Sequence, residues 1–499
     1  MPLQLDRLVR RNARYRPSAP AVTFEDATVD WRAFDARVNR VANMLAELGI
    51  ARGDKVATVS ANSMELLETY FAVPMLGAVL VPLSPLLMPS GLASLLRDSD
   101  AKCVVTERSM LPIIRAAELD LRVLVTDGSE PLDYHALSAK ASDAPPPRAA
   151  VADDDLYNIM YTSGTTGLPK GIMHSHFTRS MYSLLFTAAY RMTPESVTLH
   201  TGALIFNGAF VTMMPSFFLG AHFIAHRQFD ADHTIDAIET HRVTHMVVVP
   251  TQVIAMMRSP AFAPQRLASL QCLLSLGAPL LQEHKDRLNA ALPGRFHELY
   301  GLTEGFMTVL DRNESVRKSS SVGVPTFFNE LRIVREDGAE AKPGEVGEIV
   351  GRGPLLMLGY YKRPDLTAQA LRDGWLFTGD VGYVDEEGYL YLVDRKKDMI
   401  DSGGVKVYPR DVEEIAARHP AVRDVAVFGV PDEKWGETPV AAVILAQPAK
   451  ADELCDWINA RVQAKYQRVS RVILCDDFPR SPAGKTLKRE LRKPFWEKG

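Results

Sequence analysis

The chain has 499 residues, 46% apolar and 24% charged, which is typical of a globular protein and, at this length, of more than one domain. A formal net charge of −4 and an isoelectric point near 6.3 exclude a basic surface for nucleic acid. Four widely spaced cysteines indicate free thiols in a reducing compartment, and the amino terminus lacks a secretory signal, so we expect a cytoplasmic protein. Prolines interrupt the longest apolar run, residues 70–88, which predicts a core helix and strand and no transmembrane segment.

Strand and helix patterns alternate through the first part of the chain. Apolar residues spaced by three and four over residues 31–48 predict a helix, and residues 55–59 predict a strand. This alternation predicts an α/β fold with a parallel, doubly wound sheet. The other predicted strands are 78–81, 103–105, 156–161, 197–200, 244–249 and 272–276, and the other predicted helices are 64–76, 92–98 and 208–218.

The pattern changes after about residue 320, where short strands between Gly, Pro and Asp turns indicate a β-rich subdomain. A compact α+β unit follows, with a helix over residues 411–419 and an amphipathic stretch over residues 452–465. We therefore predict a large, multi-subdomain N-terminal domain, residues 1–394, with parallel sheets and the β-rich subdomain, and a small C-terminal domain, residues 395–499.

Residues 161–171 combine glycines, hydroxyl groups and a single cation, Lys170. Glycines allow the backbone to turn tightly, so that N–H groups can point at phosphate oxygens, and the hydroxyls add donors. The loop follows a predicted buried strand, at the strand end where α/β proteins bind ligands. It is not a Walker A loop, because Lys170 follows a proline and no glycine lies five residues before a Gly-Lys-Ser/Thr triplet. Its short Gly/Ser/Thr core taken alone would be a solvated loop about as often as a phosphate site.

These eleven residues resemble the phosphate-binding signature of the adenylate-forming superfamily, which contains acyl-CoA ligases, firefly luciferase and the adenylation domains of peptide synthetases. Further motifs that resemble those of the superfamily follow in the expected order. They cover residues 300–304, 375–380, 394–400, 402–409 and 479–486. Taken singly, several would be turns, hairpins or solvated basic runs; their order extends the resemblance over nearly the entire chain.

The resemblance implies an ATP site. Tyr300 would stack on adenine, Asp380 and Arg395 would bind the ribose, and Lys397 would be the hinge between the domains. The implied catalytic residues are Lys485, Thr166, Glu304 and Lys170, with Glu304 and Thr166 as Mg²⁺ ligands. The other implied ATP-binding residues are Thr162, Ser163, Gly164, Thr165, Gly167, Gly277, Ala278, Gly301 and Thr303.

The resemblance further implies an acyl-CoA synthetase that acts in fatty or aromatic acid metabolism. A carboxylate would attack the α-phosphorus of ATP, expel pyrophosphate and form an acyl-adenylate, which is passed to a thiol. Mg²⁺, Lys485 and the loop donors would stabilise the charge on phosphate oxygens. The small domain is expected to be mobile and to turn between the two steps.

Coenzyme A is the expected thiol. Residues 432–437 match an acyl-CoA ligase segment in which Trp435 would pack near CoA, and the glycine loop Ser402, Gly403 and Gly404 would line the thiol tunnel. The family's usual Tyr-Lys-x-Pro-Lys run is altered here, so that only Tyr466 and Arg468 match as CoA contacts. This change keeps open an enzyme that loads a carrier-protein phosphopantetheine. A non-catalytic nucleotide-binding protein is a third alternative, disfavoured because a binder would not need Lys485.

Three residues bear on the acid. Leu276 replaces the first glycine of the usual Gly-Gly-Ala-Pro segment, and Phe206, beside Asn207, replaces a histidine common in relatives. Both changes indicate a shortened or reshaped acyl pocket and predict a medium-chain or aryl acid rather than a long-chain fatty acid. Equally, Leu276 would be a core residue if the pocket lies elsewhere. The sequence leaves open whether the chain forms a homodimer.

Overall fold

The computed structural model describes residues 5–128, 132–162, 169–395, 398–402, 405–462, 464–480 and 486–496. The chain divides into two compact units. The first comprises Met1–Ser319, Gly323–Glu330 and Arg352–Leu376, and the second comprises Ser320–Val322, Leu331–Gly351 and Phe377–Gly499. The predicted boundary between residues 394 and 395 stays a prediction. Within the described ranges, no helix is long and apolar enough to cross a membrane.

One sheet of the first unit contains eight strands among the described residues. Neighbouring strands are parallel from Leu156–Thr162 across the sheet to Leu132–Asp133. At the opposite edge, Lys170–Ser175 and Gly359–Tyr360 are added in antiparallel orientation. The phosphate-loop motif thus connects two antiparallel neighbours, at the carboxyl end of Leu156–Thr162. In spatial order the strands are Gly359–Tyr360, Lys170–Ser175, Leu156–Thr162, Val79–Leu83, Lys55–Val59, Ala101–Thr106, Arg122–Val125 and Leu132–Asp133.

The other large sheet of this unit has nine strands in the described part of the chain. Its central strands are parallel, and the pairs at both ends are antiparallel. Leu276 pairs with Leu299, so the carboxyl ends of these two neighbouring parallel strands lie side by side. In spatial order the strands are Val324–Pro325, Met307–Leu310, Phe296–Gly301, Cys272–Leu276, His245–Val248, Val197–His200, His222–Ala225, Pro20–Phe24 and Ala27–Asp30.

Four helices lie between the two sheets and share one apolar core with both of them: Trp31–Glu47, Met64–Met75, His176–Tyr190 and Asn207–Leu219. Aromatic rings fill this layer; Phe71 and Phe217, for example, stack with their centroids 3.9 Å apart. The outer face of the eight-stranded sheet is covered by Pro89–Asp98 and Leu111–Arg115. The outer face of the nine-stranded sheet is covered by Ala231–His241, Pro250–Arg258 and Gln282–Ala291. Helices on both faces of parallel sheets confirm the predicted α/β class. The remaining helices of the unit are Leu8–Tyr15, Tyr134–Lys140 and Pro364–Ala370.

The second unit is richer in strands. A small sheet, most of whose residues lie in this unit, orders Glu330–Val334, Gly347–Arg352 and Trp375–Val384, with Leu390–Arg395 beside the last. Leu371–Arg372, which belongs to the first unit, pairs with the first two residues of Trp375–Val384. Another sheet orders Val405–Val407, Ile400–Ser402, Gly436–Leu445 and Val422–Asp432, with Arg471–Cys475 parallel to Gly436–Leu445. Helices Pro409–Ala416 and Ala451–Asn459 pack on one face of this sheet, and Lys488–Trp496 packs on the other.

The amphipathic stretch over residues 452–465 is helical only as far as Asn459. There the Asn459 side chain turns to the backbone of Val469. Its Nδ2 donates to the Val469 carbonyl at 2.9 Å, and its Oδ1 accepts from the Val469 N–H at 2.8 Å. This paired contact ends the helix and returns the chain to the sheet.

Candidate active site

Several residues of the predicted site lie outside the described part of the chain. They are Ser163, Gly164, Thr165, Thr166, Gly167, Lys397, Gly403, Gly404 and Lys485. The described residues of the first unit nevertheless define the surroundings of the phosphate loop and of the predicted Mg²⁺ ligand, Glu304.

The base of the phosphate loop is a tight antiparallel pair. Thr162, the last residue of one strand, pairs with Lys170, the first residue of the next. Gly171 has no room for a side chain, because a Cβ there would lie 2.8 Å from Cγ2 of Ile159 and 3.1 Å from Cζ of Tyr161. The Tyr161 hydroxyl donates to Oδ2 of Asp98 at 2.7 Å, which fixes the end of the outgoing strand. The residues on either side of the loop, Thr162 and Lys170, are therefore held together by the sheet.

Glu304 lies in a turn that closes directly after the strand Phe296–Gly301. The Gly305 N–H donates to the Leu302 carbonyl at 3.0 Å, and the chain then returns as Met307–Leu310. Gly305 has a φ of +115°, and a Cβ there would lie 1.9 Å from the Leu355 carbonyl oxygen. Only glycine therefore fits beneath the chain segment that passes over this turn.

That segment, residues 355–361, connects the acidic turn to the phosphate-loop strand. The Met357 N–H donates to the Glu304 carbonyl at 2.8 Å, and the Tyr360 hydroxyl donates to Oε1 of Glu304 at 2.9 Å. The ammonium of Lys170 lies 4.8 Å from the centroid of the same Tyr360 ring. Burial, together with the Glu304 carboxylate, raises the pKa of Tyr360, so that its hydroxyl remains a donor. Sequence reasoning missed Tyr360, since a tyrosine after a glycine outside a helix carries no specific signal.

A second contact holds the same turn from the side of the helix His176–Tyr190. Arg179 is fully buried and donates to Nδ1 of His174 at 3.1 Å. Because Nδ1 accepts, Nε2 of His174 carries the proton and donates to the Thr303 carbonyl at 2.7 Å. Burial, and next the Arg179 charge, hold the pKa of His174 well below its usual range, which keeps the ring neutral.

The same guanidinium reaches the predicted acyl pocket. Arg179 donates to Oδ1 of Asn207 at 2.8 Å, and Asn207 donates to the Tyr182 hydroxyl at 2.9 Å. Among the described residues, Arg179 has no carboxylate as a hydrogen-bond partner; instead its charge lies 4.6 Å and 4.3 Å from the ring centroids of Tyr182 and Phe210. Burial lowers the pKa of Arg179. Sequence reasoning identified Asn207 but missed Arg179, for which the sequence carries no motif.

The other predicted pocket residues meet at the start of the helix Asn207–Leu219. Leu276, the last residue of its strand, is half-buried and packs against the core between the sheets. A Cβ added to Gly208 would lie 3.0 Å from Cδ1 of Leu276, so the leucine fills space that Gly208 leaves free. Phe206 precedes the helix and is half-buried. Gly277 and Ala278 follow Leu276 and are exposed just beyond the carboxyl end of its strand. Tyr300, near the carboxyl end of the neighbouring strand, is half-buried.

The second unit carries the predicted ribose and CoA residues. Asp380 and Arg395 are partners on adjacent strands, with Nε of Arg395 3.3 Å from Oδ1 of Asp380. Ser402 is buried in the strand Ile400–Ser402. Trp435 is 49% exposed, and the Lys434 ammonium lies 4.7 Å from its ring centroid. Tyr466 and Arg468 are exposed.

A profile of AMP-binding enzymes matches residues 9–361, and a profile of the AMP-binding enzyme C-terminal domain matches residues 411–485. The chain is 37% identical over 497 residues to a feruloyl-CoA synthase of an Amycolatopsis species, covering 97% of this chain and 98% of that one. It is 34% identical over 497 residues to a long-chain-fatty-acid–CoA ligase of Mycobacterium tuberculosis, covering 98% of each.

Among solved structures, the chain is similar to the o-succinylbenzoate CoA synthetase of Bacillus subtilis in complex with its acyl-adenylate intermediate. The TM-score is 0.88 and the identity 29%, over 97% of each chain. The fold and these matches define an AMP-forming acid–thiol ligase. The chain belongs to the AMP-binding enzyme family, within the adenylate-forming superfamily, as its motifs predicted. ATP and CoA are the substrates of AMP-forming CoA ligases.

Proposed function

We propose that the chain converts an aryl or medium-chain carboxylic acid, ATP and CoA into an acyl-CoA, AMP and pyrophosphate through an acyl-adenylate. The observation that carries the proposal is the shared contact of Lys170 and Glu304 with Tyr360. Lys170, from the strand after the phosphate loop, and Glu304, from a turn that follows a strand of the other large sheet, thereby lie close to each other. This combination suits the charge that builds up on phosphate oxygens during adenylation.

Glu304 fits a Mg²⁺ ligand, because Mg²⁺ prefers carboxylate and phosphate oxygens and usually takes few of its ligands from protein. One carboxylate oxygen accepts from Tyr360, and among the described residues the other accepts no hydrogen bond. We propose Glu304 and Thr166 as the residues that hold the ion, which would neutralise phosphate charge when bound. Lys170 and Lys485 would bind phosphate oxygens. The remaining residues of the proposed ATP site are Thr162, Ser163, Gly164, Thr165, Gly167, Gly277, Ala278, Tyr300, Gly301, Thr303, Asp380 and Arg395.

The proposed acid is limited in length by Leu276. Its side chain lies against Gly208 at the start of the helix Asn207–Leu219, where an added Cβ would lie 3.0 Å from Cδ1 of Leu276. We propose that this bulky residue at the strand end restricts the acid to a flat ring or a medium chain. Similarity to the feruloyl-CoA synthase supports an aryl acid. Similarity to the long-chain-fatty-acid–CoA ligase makes a long-chain fatty acid the alternative substrate that the experiment has to test.

We propose CoA as the thiol, bound by the second unit. The exposed Trp435 indole offers a stacking surface, and Tyr466 and Arg468 offer a hydroxyl and a cation at the surface. Ser402, Gly403 and Gly404 would line the path of the thiol, and residues 395–499 would turn about Lys397 between the two half-reactions. Four free cysteines support the cytoplasmic location expected from the sequence. Light scattering after size exclusion decides between a monomer and a homodimer.

The test is AMP formation from ATP over a panel of benzoates, cinnamates and medium- and long-chain fatty acids, each with and without CoA. We expect one aryl or medium-chain class to give AMP and a thioester only with CoA. The Leu276→Gly variant should shift the preference toward longer or bulkier acids. Lys485→Ala should lose adenylation and keep ATP binding.

Three outcomes would contradict the proposal. Faster turnover of a sixteen-carbon acid than of any aryl or medium-chain acid would refute the acid class. Adenylate formation that CoA leaves unchanged would favour a carrier-protein phosphopantetheine as the acceptor. ATP binding without AMP formation from any acid would favour a non-catalytic nucleotide-binding protein.

A further inference from the structure

Lys170 and Glu304 carry opposite charges and contact one tyrosine, yet they form no ion pair with each other. The Tyr360 hydroxyl donates to one oxygen of Glu304, and the Tyr360 ring lies under the Lys170 ammonium at 4.8 Å. A lysine and a glutamate free to approach would gain Coulomb energy by pairing, and neither would then be available to a ligand. Tyr360 offers each of them a separate partner of lower charge.

Tyr360 is itself firmly held. It is 7% exposed, it pairs with Ile172 across the sheet, and its N–H donates to the Thr367 hydroxyl at 2.9 Å. The N–H of the next residue, Tyr361, donates to the Gly171 carbonyl at 2.7 Å. The ring is therefore fixed to the same strand that begins at Lys170, so its hydroxyl sets where the Glu304 carboxylate points.

We propose that Tyr360 is a positioning residue for the metal–nucleotide site: its hydroxyl orients Glu304 toward a divalent cation, and its ring holds Lys170 away from that carboxylate. The proposal rests on the ATP binding in the proposed function, but neither on the identity of the acid nor on that of the thiol. Its two parts are separable, because the hydroxyl acts on the carboxylate and the ring acts on the ammonium.

The two parts predict different results for two substitutions. Tyr360→Phe keeps the ring and loses the hydroxyl, so the Mg²⁺ concentration for half-maximal ATP binding should rise about tenfold, equivalent to about 1.4 kcal/mol. Tyr360→Leu also removes the ring under Lys170, so ATP binding should weaken by a further factor of about three even at saturating Mg²⁺. Tyr361→Phe is the matched control; it loses a hydroxyl that donates to Asp100 at 2.7 Å and should leave both quantities unchanged.

The experiment measures ATP binding calorimetrically against Mg²⁺ concentration, without acid or CoA, and repeats it with Mn²⁺ detected by electron paramagnetic resonance. In a Glu304→Gln background, Tyr360→Phe should cause no further shift, because the hydroxyl would have no carboxylate to orient. An unchanged Mg²⁺ dependence in Tyr360→Phe, an equal change in Tyr361→Phe, or an undiminished shift in the Glu304→Gln background would overturn the proposal. So would a Tyr360→Phe chain that fails to fold, since the role would then be structural. A wild-type chain without Mg²⁺-dependent ATP binding would instead contradict the proposed function itself.

Discussion

The turn that carries Glu304 depends on a glycine that no other residue can replace. In Gly305→Ala, the new Cβ would lie 1.9 Å from the Leu355 carbonyl oxygen and 2.6 Å from Cα of Leu356. Real Cβ atoms essentially never approach closer than 3.0 Å, so the overlying backbone would have to move by about 1.1 Å, the difference between 3.0 Å and 1.9 Å. Leu355 is fully buried and cannot move alone. The substitution therefore displaces the whole segment 355–361.

The cost has three parts. A non-glycine residue at a φ of +115° costs about 1–3 kcal/mol, and forcing an atom into a packed region costs about 1–3 kcal/mol more. Loss of the hydrogen bond from Met357 to the Glu304 carbonyl adds about 1 kcal/mol. We expect Gly305→Ala to lower the free energy of unfolding by about 3–7 kcal/mol, and ATP affinity to fall because Glu304 loses its position.

Gly294→Ala is the matched control in the same unit. Gly294 also has a positive φ, +70°, but a Cβ there would meet nothing within 4 Å, so only backbone strain of about 1 kcal/mol is expected. Urea unfolding and calorimetric ATP binding compare the two variants. A Gly305→Ala chain within about 1 kcal/mol of Gly294→Ala, with wild-type ATP affinity, would refute the steric argument.

Three further predictions concern other parts of the chain. Burial holds the pKa of His174 below its value in the unfolded chain, so the unfolded state binds an extra proton as the pH falls through about 6.5, and stability is lost. In His174→Gln, the slope of the unfolding free energy against pH should therefore shrink by up to about 1.4 kcal/mol per pH unit, measured by urea unfolding from about pH 7 to about pH 5. Lys285→Met leaves the Glu298 carboxylate buried without its ion-pair partner and should destabilise by about 3–5 kcal/mol, whereas the double variant with Glu298→Leu should recover most of this loss in urea unfolding. Trp435→Ala should raise KM for CoA about three- to tenfold and leave pyrophosphate exchange unchanged; an equal loss in both assays would remove the proposed CoA contact.

Local sequence patterns predicted the elements of the fold well. The strands expected at residues 55–59 and 272–276 are Lys55–Val59 and Cys272–Leu276 in the structure. Each is a short run of residues suited to a buried strand, bounded by residues that end it, so the signal is complete within a few positions. The end of the helix within the amphipathic stretch over residues 452–465 was harder to predict. The helix ends at Asn459 through contacts with Val469, and the periodicity of the stretch gives no information about a residue outside it.

The same distinction applies to the site. Lys170 and Glu304 were identifiable because each lies in a motif whose residue types directly indicate phosphate or metal binding. Tyr360 and Arg179 were not identifiable, because their roles arise only when distant segments meet. Arg179 shows no acidic residue at helical spacing that would predict an ion pair, and its partners come from three separate elements.

Segment 355–361 explains why two recognisable motifs become one site. Alone, the phosphate loop is a connection between two strands, and the acidic turn is the end of a third strand in a different sheet. Leu358 and Tyr361 bond to Met173 and Gly171 on the loop's strand, while Met357 bonds to the Glu304 carbonyl. A displacement of either motif is thus transmitted to the other through this segment. Gly305→Ala acts beneath the start of the segment and Tyr360→Phe acts near its end, so both should impair the same nucleotide-binding step.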